Sequence, residues 1–441
     1  MNFAESARAI RNALPPGGLF ADQHWRISPT PFPLGPELAK ELDSLGRVLL
    51  QFYRAVNLLY RKSAEGKQSE WIARWLDQGK PAWLVELQRH PTLKHELPRV
   101  IRPDILLTED GFAITELDSV PGGIGLTGWL NRQYSVVSGQ HSESQPVLGG
   151  ADGMRKGFAS IFGDARQVHI IVSEESGSYR PEMEWLAGQV QGSRFKVQGA
   201  AFADFQPGDS VYRFFELFDV ANVPCAKRLF ELATEKQIHL TPPPRPVFEE
   251  KLLFALLWNR NLRGFWRQEL GEGFLSRLQK VVPYTWVVDP TPLPPHAAIP
   301  ELNLTDWRQL MALSQREREL ILKVSGYSEV AWGARGVYFG SDLSTAEWSV
   351  AVERALREFD RSPCVLQRYH KPRLVQHDWF DFTDNQAKTM EGRVRLCPYY
   401  FVQGDGDAAR TNLGGVLATI CPADKKIIHG MRDAIITPCT A

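Results

Sequence analysis

One stretch constrains this chain more than any other: Arg102 to Gly125 reads RPDILLTEDGFAITELDSVPGGIG. Two apolar runs flank Glu109-Asp110-Gly111, a turn signal that predicts a β-hairpin. A hairpin lays its ends side by side, so Asp104 comes near Glu116 and Asp118. The last two share a face because side chains alternate along a strand. Three carboxylates converging beside Arg102 repel one another unless a cation sits among them. Oxygen-only ligands suit Mg²⁺, which takes one or two carboxylates together with nucleotide phosphates, and Arg102 is placed to meet a phosphate. The alternative is an exposed hairpin with solvated acids and a tight turn at Pro121-Gly122.

The rest of the chain bears on that choice. Its 441 residues suffice for two or three domains. Lys plus Arg and Asp plus Glu are both 51, so no basic excess points to a nucleic-acid partner. No apolar run approaches the roughly 20 residues that span a bilayer, and MNFAESARAIRNAL lacks the apolar centre of a secretion signal. The five cysteines, Cys225, Cys364, Cys397, Cys421 and Cys439, are odd in number and lack C-x-x-C spacing. Reduced thiols in a cytoplasmic protein are expected, rather than a zinc site or a disulfide scaffold. His169, His239, His370 and His429 show no ligand spacing and read as structural.

Three blocks follow from the punctuation. Residues 1–150 hold a helical region and the hairpin; PELAKELDSLGRVLLQFYRAVNLLYRK has helical apolar spacing, and 136–155 reads as a loop or linker. Residues 151–245 alternate strand and helix (VHIIVSE, PEMEWLAGQVQG, FKVQGAAF, SVYRFFELFD, CAKRLFELATEKQ), as in a small doubly wound α/β domain, and TPPPRPVF closes the block. Residues 246–441 are α+β with antiparallel character. They include the helical EEKLLFALLWNRN, a strand ending at Lys323, and a loop with Gly326, Gly333 and Gly336. A helix, TAEWSVAVERALREF, and the strands PCVLQRYHK and RVRLCPYYFV follow, then a glycine loop, NLGGVLATI, and a polar tail.

A lysine can act as a point charge for phosphates, and a glycine loop can cover them with backbone N–H groups. Lys323 and the loop behind it suit that work, although neither G-x-x-x-x-G-K-[ST] nor G-x-G-x-x-G occurs after a strand. Gln367 would lie at an adenine edge if its strand is a hinge between lobes; a plain strand residue is the alternative.

Taken in order, these elements resemble one family. Arg102, Asp104, Glu116 and Asp118 resemble the Arg-x-Asp…Glu-x-Asn pattern of glutathionylspermidine synthetase-like ligases, circularly permuted ATP-grasp enzymes whose metal-binding strands come early. EEKLLFALLWN resembles their Asn-Lys…Leu-Trp helix, which places Lys251 at a nucleotide lysine. LKVSGYSEVAWGARGVYF resembles their Lys-Pro…Gly-Arg-Glu-Gly loop, with Lys323 as the second lysine and Gly333 and Gly336 over the phosphates. CVLQRYHKP resembles their hinge strand, with Gln367 and Tyr369, and SVYRFFELFD sits where they have a strand carrying an aromatic and an acid, here Phe214 and Glu216. Asp118 replaces the usual Asn, Val324-Ser325 replaces the proline after the lysine, and the spacing from Lys251 to Lys323 is longer.

The resemblance implies a circularly permuted ATP-grasp fold of α+β class with an inserted small α/β pre-ATP-grasp-like domain. It implies ATP and Mg²⁺ as cofactors, with Asp104, Glu116 and Asp118 as metal ligands and Arg102 beside the reacting phosphate. The activity implied is a carboxylate–amine ligase working through an acyl phosphate on small-molecule carboxylate and amine substrates, with Ser119, Gly122, Gly123 and Glu216 near the substrate. Three other readings compete. One is a catalytically silent ATP-grasp scaffold and another is a structural assembly protein. The third is a glycoside hydrolase, whose paired acids would need a separation of roughly 5–10 Å across a sugar, wider than two positions on one strand allow.

Overall fold

The computed structural model describes residues 2–441 except 23, 139–144, 191–193, 295–296, 332, 334, 426–427 and 429. The reading of His429 therefore lies outside the described residues. Among the described residues no helix is long and apolar enough to cross a membrane.

The chain forms two units, and neither is contiguous. The first comprises Met1–Tyr53, His90–Pro244 and Pro372–Ala441; the second comprises Arg54–Arg89 and Arg245–Lys371. The long helix Pro36–Ala64 passes from one range to the other along its own length. One boundary falls at Pro244 and Arg245, behind the triple proline; the others cut across the contiguous blocks seen in the sequence.

In the first unit the hairpin forms as its turn chemistry requires. Strands Val100–Thr108 and Gly111–Asp118 pair antiparallel, with Glu109 and Asp110 as the loop. They lie at the edge of an eight-stranded sheet whose strands come from both ends of the chain. Val100–Thr108 pairs with Gln386–Gln403, which pairs with Arg410–Pro422, then Ile435–Thr440, then Arg26–Ile27. A helix, Gly153–Ser160, packs on this sheet.

Two elements differ from the sequence reading. NLGGVLATI is not a loop: it lies inside strand Arg410–Pro422. Its glycines mark a close approach. A Cβ on Gly414 would lie 2.4 Å from the Phe401 ring, and one on Gly153 would lie 2.4 Å from the carbonyl oxygen of Gly414. The register of the strand pair shifts at Tyr399/Tyr400, opposite these residues, as a bulge does. The polar tail is also a strand: Ile435–Thr440 is buried at every position, because it is flanked by strands on both sides.

Also within the first unit, the alternating block forms a four-stranded parallel sheet. Its spatial order is Phe195–Gly199, Val168–Val172, Ser210–Phe214, His239–Thr241. Val168–Val172 is buried along its length, as a continuous apolar run in a covered parallel sheet should be. His169 is held within the fold: its Nε2 lies 3.1 Å from Asp209, and its ring packs, tilted, at 4.7 Å against Phe202.

The second unit holds a four-stranded sheet in the order Val337–Phe339, Leu320–Val324, Cys364–Arg368, Thr285–Val287, antiparallel throughout. Leu320, Leu322, Val324, Cys364 and Leu366 face a core completed by Trp348, Ala351, Val352 and Ala355 of helix Thr345–Arg357. That helix starts with a capping box, Ser344 and Glu347, each side chain bonding the other's backbone N–H. Alternation then puts Ile321, Lys323, Val365 and Gln367 on the other face of the sheet.

Candidate functional site

In the hairpin, Arg102 stands directly opposite Asp118, and Asp104 opposite Glu116, so all four share one face. Arg102 takes the position among the acids that a cation would need. Its Nε lies 3.0 Å from Asp104 and its Nη2 lies 2.9 Å from Asp118. Arg395, from the neighbouring strand Gln386–Gln403, approaches the other oxygen of Asp104 at 3.3 Å. Burial opposes the charge of Arg102, but Asp104 and Asp118 outweigh it and hold its pKa well above the usual value. Burial pushes the Asp118 carboxyl up, and Arg102 and the N–H of Val120, at 2.8 Å, pull against that. The Cys397 thiol donates to Asp104 at 3.5 Å; burial pushes it up to about 12, so it is no thiolate at neutral pH.

The donor set is chemically right for Mg²⁺, and Asp104, Glu116 and Asp118 on their shared face are the residues that would hold it. Among the described residues, as the side chains stand, no three or more His, Cys, Asp or Glu are gathered as a metal site, and Arg102 meets two of the three acids instead.

The loop beyond the hairpin is tightly fixed. The Gly122 carbonyl accepts from Arg102 Nη1 at 3.2 Å and from the Tyr399 hydroxyl at 2.7 Å. A Cβ on Gly122 would lie 2.1 Å from the Tyr179 ring, so only glycine lets that ring pack on the loop. The N–H of Gly123 is not presented to a ligand: it donates to Glu182 at 2.7 Å. Burial raises the Glu182 carboxyl to about 7, even though the N–H groups of Leu126, Gly123 and Gly125 favour its charged form. Ser119 is buried, and its hydroxyl has no hydrogen-bond partner among the described residues.

Tyr179 also meets Phe214 edge-on at 5.5 Å, at the carboxyl end of a parallel strand, and half-buried Glu216 follows two residues on. The buried hydroxyl of Tyr212 has no hydrogen-bond partner among the described residues, and both Asp118 and Glu216 lie close enough to raise its pKa after burial has done so. The first unit therefore gathers Arg102, Asp118, Ser119, Gly122 and Glu216 around the carboxyl end of its parallel sheet, the usual place for a ligand in an open α/β sheet.

The second unit carries the two lysines. Lys323 is buried and donates to Gln367 Oε1 at 2.8 Å, while Gln367 Nε2 donates to Thr285 at 3.2 Å. The Gln367 amide is thus bonded within the sheet at both ends. Lys251 precedes helix Leu252–Trp258 and donates to the carbonyls of Ala331, at 2.9 Å, and Ser325, at 3.4 Å. It therefore grips the glycine loop two residues beyond Lys323. Gly333 and Gly336 lie in that loop, and the Gly336 carbonyl accepts from Val324 at 3.0 Å. Tyr369 follows strand Cys364–Arg368 and meets Phe339 edge-on at 5.8 Å.

Sequence reasoning passed over several residues that hold these features. Glu250 accepts from the N–H of Gly326 at 2.9 Å and from the Ser325 hydroxyl, and it pairs with Lys80 at 2.5 Å with both side chains fully buried. It stands next to Lys251 in EEKLL, but that adjacency does not say which distant groups it holds. Lys80, Tyr179, Glu182 and Arg395 carried no signal, because their roles arise from contacts between distant segments.

No family model matches the chain, and no curated protein matches its sequence. Among solved structures, a glutathione synthetase-like effector from Globodera pallida, in its apo form, aligns with a TM-score of 0.55 over 99% of this chain and 94% of that one, at 11% identity. The chain has a glutathione synthetase-like fold. A protein from Methylobacillus flagellatus KT, named as a gamma-glutamylcysteine synthetase candidate, aligns at TM-score 0.38 and 12% identity over 88% of this chain and 87% of that one, too distantly to add to this.

Proposed function

We propose that this protein is an ATP-dependent carboxylate–amine ligase of circularly permuted ATP-grasp type, releasing ADP. The observation that carries the reading is the shared face of Arg102, Asp104, Glu116 and Asp118, set beside a fixed glycine loop in a glutathione synthetase-like fold. The early hairpin pairs with a strand from the last 60 residues or so, which supports a permuted order. Names support it too: the aligned effector is called glutathione synthetase-like.

In this reading a substrate carboxylate oxygen attacks the γ-phosphorus of ATP. The bond to the bridging oxygen breaks and ADP leaves. The amine nitrogen then attacks the acyl carbon, loses a proton, and expels phosphate that carries one former carboxylate oxygen. Phosphoryl transfer of this kind needs alignment and neutralised charge more than a strong base. Arg102 supplies a cation at the acceptor side, and Lys251 and Lys323 are the cations assigned to the nucleotide. No protein nucleophile is required, which suits the raised Cys397 thiol. Asp104, Glu116 and Asp118 are the proposed ligands for Mg²⁺ accompanying ATP, and no step is assigned to the ion. Ser119, Gly122 and Glu216 are assigned to the substrate, and a cytoplasmic location accompanies the reading.

The test is isotopic. With ¹⁸O in the substrate carboxylate, one label should appear in released phosphate and ADP should accumulate. AMP and pyrophosphate would refute the mechanism. No nucleotide turnover across pools of carboxylates and amines would leave a nucleotide-binding or interaction protein.

A further inference from the structure

The segment behind the hairpin is held by side chains from three distant elements. Arg102 and Tyr399 hold the carbonyl of Gly122. Glu182, in the first turn of helix Arg180–Gly188, holds the N–H side: Oε1 accepts from Gly123 at 2.7 Å and Oε2 from Leu126 at 2.8 Å. Both donors sit at the start of helix Ile124–Ser138, where a helix cannot satisfy its own N–H groups. Glu182 is fully buried, so neither water nor a surface side chain can take over this work.

We propose that Glu182 is a positioning residue, a clasp that fixes residues 119–126 so that Ser119 and Gly122 stand beside Arg102 and Asp118. Its functional consequence rests on the ligase reading; its structural consequence does not. A carboxylate suits the task because it offers one acceptor oxygen to each of two N–H donors. A glutamine of the same shape offers one acceptor and one NH₂, so one N–H group would face a donor. The clasp also narrows how a substrate is met. With the N–H groups of Gly123 and Leu126 bonded to Glu182, an acyl phosphate or carboxylate at this loop is recognised by side chains, Arg102 foremost, rather than by a backbone cradle.

The experiment compares wild type, Glu182→Gln and Glu182→Asp. Hydrogen exchange at the Gly123 and Leu126 amides is read without substrate, beside Ile170 and Ile420 as buried strand references. In Glu182→Gln at least one of the two amides should exchange at least about tenfold faster while the references are unchanged. In turnover, KM for the carboxylate substrate should rise with KM for ATP unchanged, a split that general destabilisation would not give. Glu182→Asp keeps the charge with a shorter reach and should fall between the other two; it also serves if the Gln variant does not fold. Unchanged protection at both amides would overturn the proposal, as would a uniform loss that includes the references. Faster exchange with unaltered kinetics would overturn the positioning role. A wild type that forms no ADP would sink the ligase reading, while the amide measurement would still decide whether the clasp exists.

Discussion

Replacing Lys80 by Met tests the buried pair beneath the glycine loop. Lys80 Nζ and Glu250 Oε1 are 2.5 Å apart, and both side chains are wholly inaccessible. Removing one partner of such a pair typically costs about 3–5 kcal/mol, because the other charge stays buried without its counterion. Glu250 keeps two donors, the Ser325 hydroxyl and the Gly326 N–H, so the lower end of that range, about 3 kcal/mol, is expected. Nine of the 13 tryptophans lie within 54–89 and 245–371, so tryptophan fluorescence during urea unfolding reports mainly on the unit that contains the pair. The informative comparison is Lys80→Met with Glu250→Gln. The glutamine keeps one acceptor for Gly326 while the double variant carries no buried charge, so it should be more stable than Lys80→Met alone. A loss below about 0.5 kcal/mol for Lys80→Met, the range of ordinary surface substitutions, would refute the argument. So would a double variant whose cost equals the two single costs added together.

Further predictions follow from other contacts. Glu182 rises from 4.5 to about 7 on folding, so the folded chain holds a proton that the unfolded chain releases between those values. The stability this group contributes is complete below pH 4.5 and lost as pH rises through 7. At about 1.4 kcal/mol per pH unit, Glu182→Gln should gain on the order of 3 kcal/mol relative to wild type between pH 4.5 and 7.5, and parallel stability profiles would refute this. Gly122→Ala drives a methyl group into the Tyr179 ring and should cost about 1–3 kcal/mol in urea unfolding, with recovery when Tyr179→Ala is added. Lys323→Ala should weaken ATP binding by about 1–3 kcal/mol, and calorimetry showing wild-type affinity would remove this lysine from the nucleotide site. Glu116→Ala should abolish Mg²⁺-dependent turnover while unfolding stays cooperative; unchanged turnover would remove the metal assignment.

What could be read from the sequence was what local rules determine. The hairpin was legible because its alternation and its Glu-Asp-Gly turn act within 17 residues. The parallel strands were legible because full burial leaves a continuous apolar run. Gly414 and Gly415 misled because glycine serves equally for a loop and for a strand on which a helix packs closely. The 435–440 strand was hidden by its threonines and proline, which join the core only because strands lie on either side. Glu182 and Glu250 were illegible as clasps: the backbone groups they hold lie 56 or more residues away. The pairing of Arg102 with both acids was likewise invisible, since the sequence showed three carboxylates but not which cation would reach them first.

The strand Ile435–Thr440 has a consequence for how the chain is made. It lies between Arg410–Pro422 and the strands of residues 26–33, so it joins segments far apart in the order of synthesis. Arg26 pairs with Ile435. At about 5–20 residues per second, some tens of seconds separate their emergence during translation. Throughout that time the early strands have an open edge and no partner, while the parallel sheet in the middle of the chain has all its strands once Thr241 is made. The large sheet is therefore finished late, and an incomplete chain that stalls short of Ile435 exposes the kind of edge that other chains can pair with.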